Sequence, residues 1–154
     1  MGRLYDKAFF GNLIKNADIY YSHVSNENKS VREKLVDHCV LTMKYAKGIS
    51  ASNGLDGIIK GLIEKSTIWP CDARLHQMVY QLFWDAIAFH DFGKLNDQFQ
   101  RTKMKNNQKL KIVHHNLGSN HSLISAYLYL AISVFDLLDK SFAENDEIVF
   151  LCNV

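Results

Sequence analysis

The sequence predicts an all-α fold, and three observations support this prediction. Apolar residues recur at helical spacing in several segments, few segments alternate as strands do, and Pro70 is the only proline among 154 residues. Apolar residues make up 47% of the chain and charged residues only 22%, which excludes a largely disordered protein. We therefore expect a single folded domain over residues 1–154.

The first half of the chain contains two predicted helices. Ser30 and Glu33 have the spacing of a capping box, so the first clear helix is predicted to begin at Ser30 and to stop at Gly48. Its apolar stripe comprises Val31, Leu35, Cys39, Met43 and Ala46. A short second helix is predicted over residues 55–64, after a Ser-Asn-Gly turn.

The second half is predicted to be helical as well. A helix begins near Asp72 and ends before Gly93, with one apolar face formed by Leu75, Val79, Leu82, Phe83, Ala86 and Ile87. A turn of helix follows over residues 96–101. Ser119 or Asn120 is then expected to cap a helix whose stripe is Ile124, Leu128, Ala131, Phe135 and Leu138, and a last helix opens near Asn145.

The terminal residues and the cysteines bear on completeness and compartment. Residues 147–154 are mostly apolar and lack a polar tail, so the chain is expected to stop short of the C-terminal side of its domain. Three widely spaced cysteines (Cys39, Cys71 and Cys152) fit neither a disulfide framework nor a zinc ribbon, which favours the cytoplasm. The apolar stretch 123–138 is too short and too polar to span a bilayer, and residues 1–6 do not resemble a signal peptide, so no membrane partner is expected.

Positive charge is concentrated in one segment of the chain. Residues 101–111 contain five basic and no acidic side chains, namely Arg101, Lys103, Lys105, Lys109 and Lys111. Because these five positive charges exceed the net charge of +2 of the whole chain, the remaining residues together carry a net negative charge. The segment, extended as a loop over 101–118, is interpreted either as a solvated loop or as a flap that faces phosphates.

Three histidines lie on or beside the apolar faces of predicted helices. His38 follows Leu35 by three residues, His121 precedes Ile124 by three, and His90 continues the row formed by Leu82 and Ala86. Asp91 follows His90 at a helix end, where the helix dipole favours a cation, and imidazole with carboxylate is a ligand pair for divalent metals. A shared metal site is one interpretation, and separate core histidines with ordinary hydrogen bonds are the other.

The segment from His90 to Gln100 resembles a known family signature. It reads HDFGKLNDQFQ and resembles the HD-x-G-K-x-x-x-x-F-Q signature of the HD nuclease domain of type I CRISPR-associated nuclease-helicases. The segment HSLISA, which begins at His121, resembles the His-Ser-x-x-Ser-Ala block of that family. LVDHCV around His38 and YYSH ending at His23 resemble two further motifs, so the similarity covers about residues 18–154.

The resemblance implies an HD-domain helical bundle with a defined ligand set. His38, His90, Asp91 and His121 would hold metal, with Asp91 bridging two ions, and Lys94 would contact a phosphate or stabilise charge in the reaction. The ions would be manganese, iron, cobalt or nickel, with magnesium possible. The role of His23 stays open between a ligand and a polar residue of an entry loop.

The function implied by this resemblance is hydrolysis of single-stranded DNA in CRISPR antiviral defence. A helicase domain or subunit and a guide-RNA surveillance complex would be its partners, and the five basic residues of segment 101–111 would guide the strand. The chain departs from the family because the later His-His pair and Asp are missing. His114 and His115 precede the block at His121, and we interpret them as part of the loop.

Two other functions remain open. An HD phosphohydrolase that acts on nucleotides or cyclic dinucleotides would share His38, His90 and Asp91 without needing Phe99, Gln100 or the basic segment. A truncated, non-catalytic HD fold would keep the helices and lose tight metal binding.

Overall fold

A computed structural model describes residues 4–28, 30–66, 73–106 and 121–139 of the chain; the side chains of Leu75 and of residues 134–139 are outside this description. Most of these residues are helical, which confirms the all-α prediction. The α-helices are α1 (Lys7–Leu13), α2 (Leu35–Asn53), α3 (Leu55–Lys65), α4 (Ala73–Phe89), α5 (Asp97–Thr102) and α6 (His121–Asp139). Short 3-10 turns cover Ala17–Ile19 and Phe92–Leu95. None of the described helices has the length and apolar character that a membrane span requires.

A two-stranded hairpin precedes α2 and corrects the predicted helix start. Strand β1 (Tyr21–Val24) pairs antiparallel with β2 (Arg32–Lys34), and His23 lies opposite Glu33. Helix α2 therefore begins at Leu35, and the capping box at Ser30 is wrong. The pairing with β1 satisfies the backbone of β2, and the Leu35 amide donates to the carbonyl of Tyr20.

The C-terminal end of α2 lies beyond the predicted stop. The helix passes through Gly48 and ends at Gly54, which has a φ of 63° and so adopts the left-handed conformation that glycine favours. An interior glycine costs about 1 kcal/mol relative to alanine, which helix continuation and packing outweigh here. The next helix, α3, agrees with its prediction and ends one residue later, at Lys65.

The apolar core lies between α1, α2, α4 and the turn after α4. Its largest fully buried apolar side chains are Phe10, Leu35, Met43, Phe89 and Phe92. The rings of Phe89 and Phe92 are 4.5 Å apart between centroids, which fixes the end of α4 against the turn that follows.

Helix α4 buries only part of the face that was predicted: Phe83 and Ile87 pack against the core. Its inward residues are Trp84, Asp85, Ala88 and Phe89, whereas Leu82 is 46% exposed and Ala86 is exposed. The buried Asp85 accepts hydrogen bonds from the hydroxyls of Tyr5 and Tyr129, so a polar residue occupies a place in the core stripe. A hydrogen-bonded carboxylate thus stands where an apolar side chain would be expected, which explains why apolar periodicity missed part of the buried face.

The last described helix agrees with the prediction where both can be compared. Ile124 and Leu128 are half-buried, and Leu128 packs against the core. The predicted caps Ser119 and Asn120, the helix near Asn145 and the apolar end 147–154 lie outside the described residues. Asn96 caps α5 by accepting a hydrogen bond from the Gln98 amide, as expected for the short helix after Gly93.

Candidate metal centre

Asp91 occupies the centre of a cluster of histidines. Its Oδ2 atom lies 3.0 Å from His38 Nε2, 3.3 Å from His90 Nε2 and 2.7 Å from Lys94 Nζ. Its Oδ1 atom lies 3.7 Å from His121 Nε2. The structure therefore brings together all four residues that the sequence analysis assigned to metal binding.

Three helices and the connections between them position these side chains. His38 lies in the first turns of α2, His121 begins α6, and His90 and Asp91 follow the last residue of α4. His90 Nδ1 lies 2.8 Å from the carbonyl of Ile87, which requires a proton on Nδ1 and directs Nε2 toward Asp91. The His90 side chain is 40% exposed and does not point into the core, which corrects the orientation predicted from the row of Leu82 and Ala86.

His23 joins the cluster from the hairpin. His23, His38 and Asp91 each offer one donor atom, and these three atoms lie within 4.8 Å of one another. The rings of His23 and His38 are 4.7 Å apart between centroids. This group could hold a metal ion. In the sequence, only the resemblance of segment 20–23 to a family motif indicated His23. That resemblance left open whether His23 binds metal.

The charges around Asp91 keep it ionised. Burial alone would raise the pKa of Asp91, but hydrogen bonds from His38, His90 and Lys94 outweigh this effect and hold the pKa well below its usual range. The hydrogen bond to Asp91 raises the pKa of His90. Burial, with the positive charge of Lys94 next in importance, lowers the pKa of His23. A neutral His23 and an ionised Asp91 are the forms that bind metal.

Lys94 lies beneath the cluster, largely covered by protein. Its ammonium group donates to Asp91 and, at 3.2 Å, to the backbone carbonyl of Ser22, and the residue is 5% exposed. The amine would have to leave Asp91 to meet a phosphate directly. In this structure its role is to neutralise the carboxylate and to tie the turn after α4 to the hairpin.

Close packing at Gly93 places His121 against the centre. A β-carbon at Gly93 would overlap the backbone carbonyl of His121, so only glycine permits this approach. The Gly93 amide donates to Ser125 Oγ at 2.7 Å, and Ser125 Oγ donates to the carbonyl of His121 at 2.8 Å. The second serine of the segment HSLISA thus fastens α6 to the turn that carries Asp91.

Phe99 and Gln100 support the centre from a distance. The Phe99 ring lies 5.3 Å from that of His121. Gln100 is fully buried; its side-chain amide donates at 2.7 Å to the carbonyls of both Tyr21 and Lys94 and accepts from the Tyr21 amide at 3.1 Å. These residues join the hairpin, the turn and α6, which gives the Phe-Gln pair of the signature a structural role.

The basic segment is described only in its first part. Arg101 lies in α5, Lys103 and Lys105 follow it, and all three are exposed. Lys109, Lys111, His114 and His115 lie outside the described residues, so the predicted flap over 101–118 stays a prediction.

A cavity of about 550 Å³ opens beside the cluster, between α4 and α6. His90, Asp91 and His121 line one end, and the remaining wall is mostly apolar, including Leu82, Ala86 and Leu130. The row that was predicted to face the core thus faces this cavity.

Glu33 is a polar residue beside the cluster that no sequence motif indicated as part of it. Glu33, interpreted as part of a capping box, places Oε2 3.0 Å from His38 Nδ1. The spacing of five residues between the two gave no signal, because their contact depends on the hairpin.

Comparison with models of protein families, with curated proteins and with solved structures finds no match to this chain.

Proposed function

We propose that this chain is a metal-dependent phosphodiester hydrolase of the HD type that cleaves single-stranded DNA in a type I CRISPR antiviral system. The observation that carries the proposal is the convergence of His38, His90 and His121 on Asp91, at 3.0 to 3.7 Å. Such a mixture of imidazole and carboxylate suits first-row divalent metals. The nucleic-acid substrate and the CRISPR context rest on the resemblance of residues 90–100 and 121–126 to that family.

The donor set fits a divalent metal. His23, His38 and Asp91 present three donor atoms within 4.8 Å of one another, and the second carboxylate oxygen of Asp91 faces His121. The family resemblance implies two ions at Asp91, of manganese, iron, cobalt or nickel, with magnesium possible. When bound, such ions polarise a phosphodiester and activate water for its hydrolysis.

The chain's own residues would bind and orient the substrate. Arg101, Lys103 and Lys105 are exposed at and after α5, which begins two residues after the turn Phe92–Leu95. Backbone phosphates of a single strand bind to such cations without regard to base sequence. Lys94 holds Asp91 ionised and oriented, since its ammonium group lies 2.7 Å from the carboxylate.

The cavity favours a second candidate function. Its volume of about 550 Å³ and its mostly apolar wall, open to His90, Asp91 and His121, would admit a nucleotide base beside the proposed metal centre. An HD phosphohydrolase that acts on nucleotides or cyclic dinucleotides is therefore the alternative.

The two functions are separated by parallel digestions with manganese present. We expect the chain to cut labelled single-stranded DNA and to leave a panel of nucleotides and cyclic dinucleotides intact. Release of phosphate from nucleotides with intact DNA would establish the alternative. Less than one metal ion per chain after manganese or iron loading, together with no cleavage, would identify a non-catalytic HD fold.

Asp91→Ala tests the assignment of the site. We expect loss of metal binding and of all cleavage, because Asp91 contacts three of the proposed ligands. Asp37→Ala is the matched control: Asp37 precedes His38 in the chain but forms an exposed ion pair with Lys7. Normal cleavage by Asp91→Ala would place the activity elsewhere.

A further inference from the structure

Glu33 contacts the ring of His38 on the side opposite Asp91. Its Oε2 atom lies 3.0 Å from His38 Nδ1, while His38 Nε2 lies 3.0 Å from Asp91 Oδ2. A neutral imidazole has one donor and one acceptor nitrogen. Without metal, Nε2 donates to Asp91. With metal, a carboxylate that accepts the Nδ1 proton would leave the Nε2 lone pair free for the ion.

We propose that Glu33 is a positioning residue of the metal centre, which selects the tautomer of His38 and fixes the orientation of its ring. The inference rests on the proposed function, because it requires His38 to be a metal ligand. A carboxylate that accepts a hydrogen bond from a ligand histidine raises the basicity of that ligand and restricts its rotation. Neither a capping role nor a role in strand pairing requires this contact.

Glu33 is itself held in place by the hairpin. Ser22 Oγ lies 3.1 Å from Glu33 Oε2 and 3.3 Å from the Glu33 carbonyl. The carbonyl of the same serine accepts the hydrogen bond from Lys94. Contacts therefore run in a closed circuit of five residues: Ser22, Glu33, His38, Asp91 and Lys94.

The circuit explains why a strand residue can orient a helix residue. His23 lies opposite Glu33 in the hairpin, so the strand pair carries one proposed ligand and the positioning group of another. The Glu33 side chain is 33% exposed, so its removal leaves no large apolar cavity. A change in metal affinity can therefore be separated from a loss of folding.

The test compares Co²⁺ binding by the full chain and by three variants. Binding is measured by calorimetry and by the visible absorption of bound Co²⁺. We expect Glu33→Ala to weaken Co²⁺ binding about 10- to 100-fold. Glu33→Gln should lose less, since its amide oxygen can still accept from Nδ1. Asp37→Asn, the matched control on the adjoining turn of α2, should bind like the wild type.

Thermal unfolding without metal provides the second measurement. Glu33→Gln and Asp37→Asn should unfold within about 2 °C of the wild type, a shift worth less than about 1 kcal/mol in a chain of this size. Wild-type affinity in Glu33→Ala, or a loss explained by unfolding alone, would overturn the role of Glu33 and leave the proposed function standing. Absence of Co²⁺ binding by the wild type would overturn both.

Discussion

Asp91 shows how one buried carboxylate can stay charged. Taking it out of water is unfavourable, yet one of its oxygens faces two imidazoles and an ammonium group at 2.7 to 3.3 Å. The resulting low pKa contributes stability above the ordinary carboxyl range, and this contribution is lost as the pH falls toward the folded value. Without metal, Lys94 supplies much of the compensating charge.

Removing that charge should therefore destabilise the metal-free protein. Lys94→Met keeps most of the unbranched side chain but leaves Asp91 buried without its cation, and we expect unfolding in urea to show a loss of about 3 kcal/mol. Manganese should restore part of the loss, because a bound ion supplies the missing positive charge. Turnover should fall more than metal uptake.

Lys60→Met is the matched control for this experiment. Lys60 also pairs with an aspartate in its own helix, Asp56 at 2.8 Å, but both side chains are solvent-exposed. Its substitution should change stability little and independently of manganese. Equal losses in the two variants would contradict the role assigned to Lys94.

Glu33 shows what a sequence can and cannot predict about single residues. A Ser-x-x-Glu spacing is typical of a helix start, and nothing local distinguishes it from a strand that ends before a helix. The decision depends on pairing with His23 and on the contact with His38, both of which require the tertiary structure. The histidines His38, His90 and His121 were found because their motifs are local.

At the scale of elements, the turn Phe92–Leu95 joins α4, α5 and α6 around the centre. Gly93 makes this possible, because the backbone of α6 occupies the space of a side chain. The predicted face of α4 was only partly right: Phe83 and Ile87 pack against the core. The buried Asp85 interrupts the apolar pattern, so the exposed row that includes Leu82 resembled a core face.

Gly93→Ala should push α6 away from the turn. Overpacking of this kind costs about 1–3 kcal/mol, and displacement of His121 should also weaken metal binding. Gly57→Ala, inside α3 where a β-carbon meets no atom within 4 Å, should instead stabilise the protein by about 0.5–1 kcal/mol. Urea unfolding of the two variants measures whether each substitution lowers or raises the free energy of unfolding. A Gly93→Ala variant with wild-type stability and normal metal affinity would contradict the close approach of α6.

Over the whole chain, helical periodicity predicted α2 to α6 among the described residues. The seven-residue helix α1, which buries only Phe10, was not predicted. The hairpin escaped prediction, since its strands have only four and three residues and show no clear alternation of apolar and polar residues. The meeting of His38, His90 and His121 follows from packing among α2, α4 and α6. Helical spacing left this meeting as one of two interpretations, and the resemblance favoured it.

Metal binding should stabilise the whole molecule. At a free concentration of one hundred times Kd, manganese should add about 2.7 kcal/mol and raise Tm by about 5 to 10 °C, with reversal by a chelator. If manganese stabilises the Asp91→Ala variant by the same amount, manganese binds elsewhere. Scanning calorimetry measures the increment directly.

This increment should grow as the pH rises through and above the ordinary imidazole range. The raised pKa of His90 means that the metal-free fold is stabilised by its proton below the ordinary imidazole pKa, and this contribution is lost as the pH rises through the raised value. Protons therefore compete with the ion at low pH. An increment that is independent of pH would argue against His90 as a ligand.

The circuit from Ser22 to Lys94 has a consequence for biosynthesis. Its hydrogen bond from Lys94 to Ser22 spans 72 positions, and that from Gln100 to Tyr21 spans 79. A ribosome releases the hairpin well before it releases Gln100, so for a time a growing polypeptide carries His23, Glu33 and His38 without Asp91. The proposed set of ligands is complete only once His121 has also emerged and docked, so we expect ion capture to follow translation of that residue.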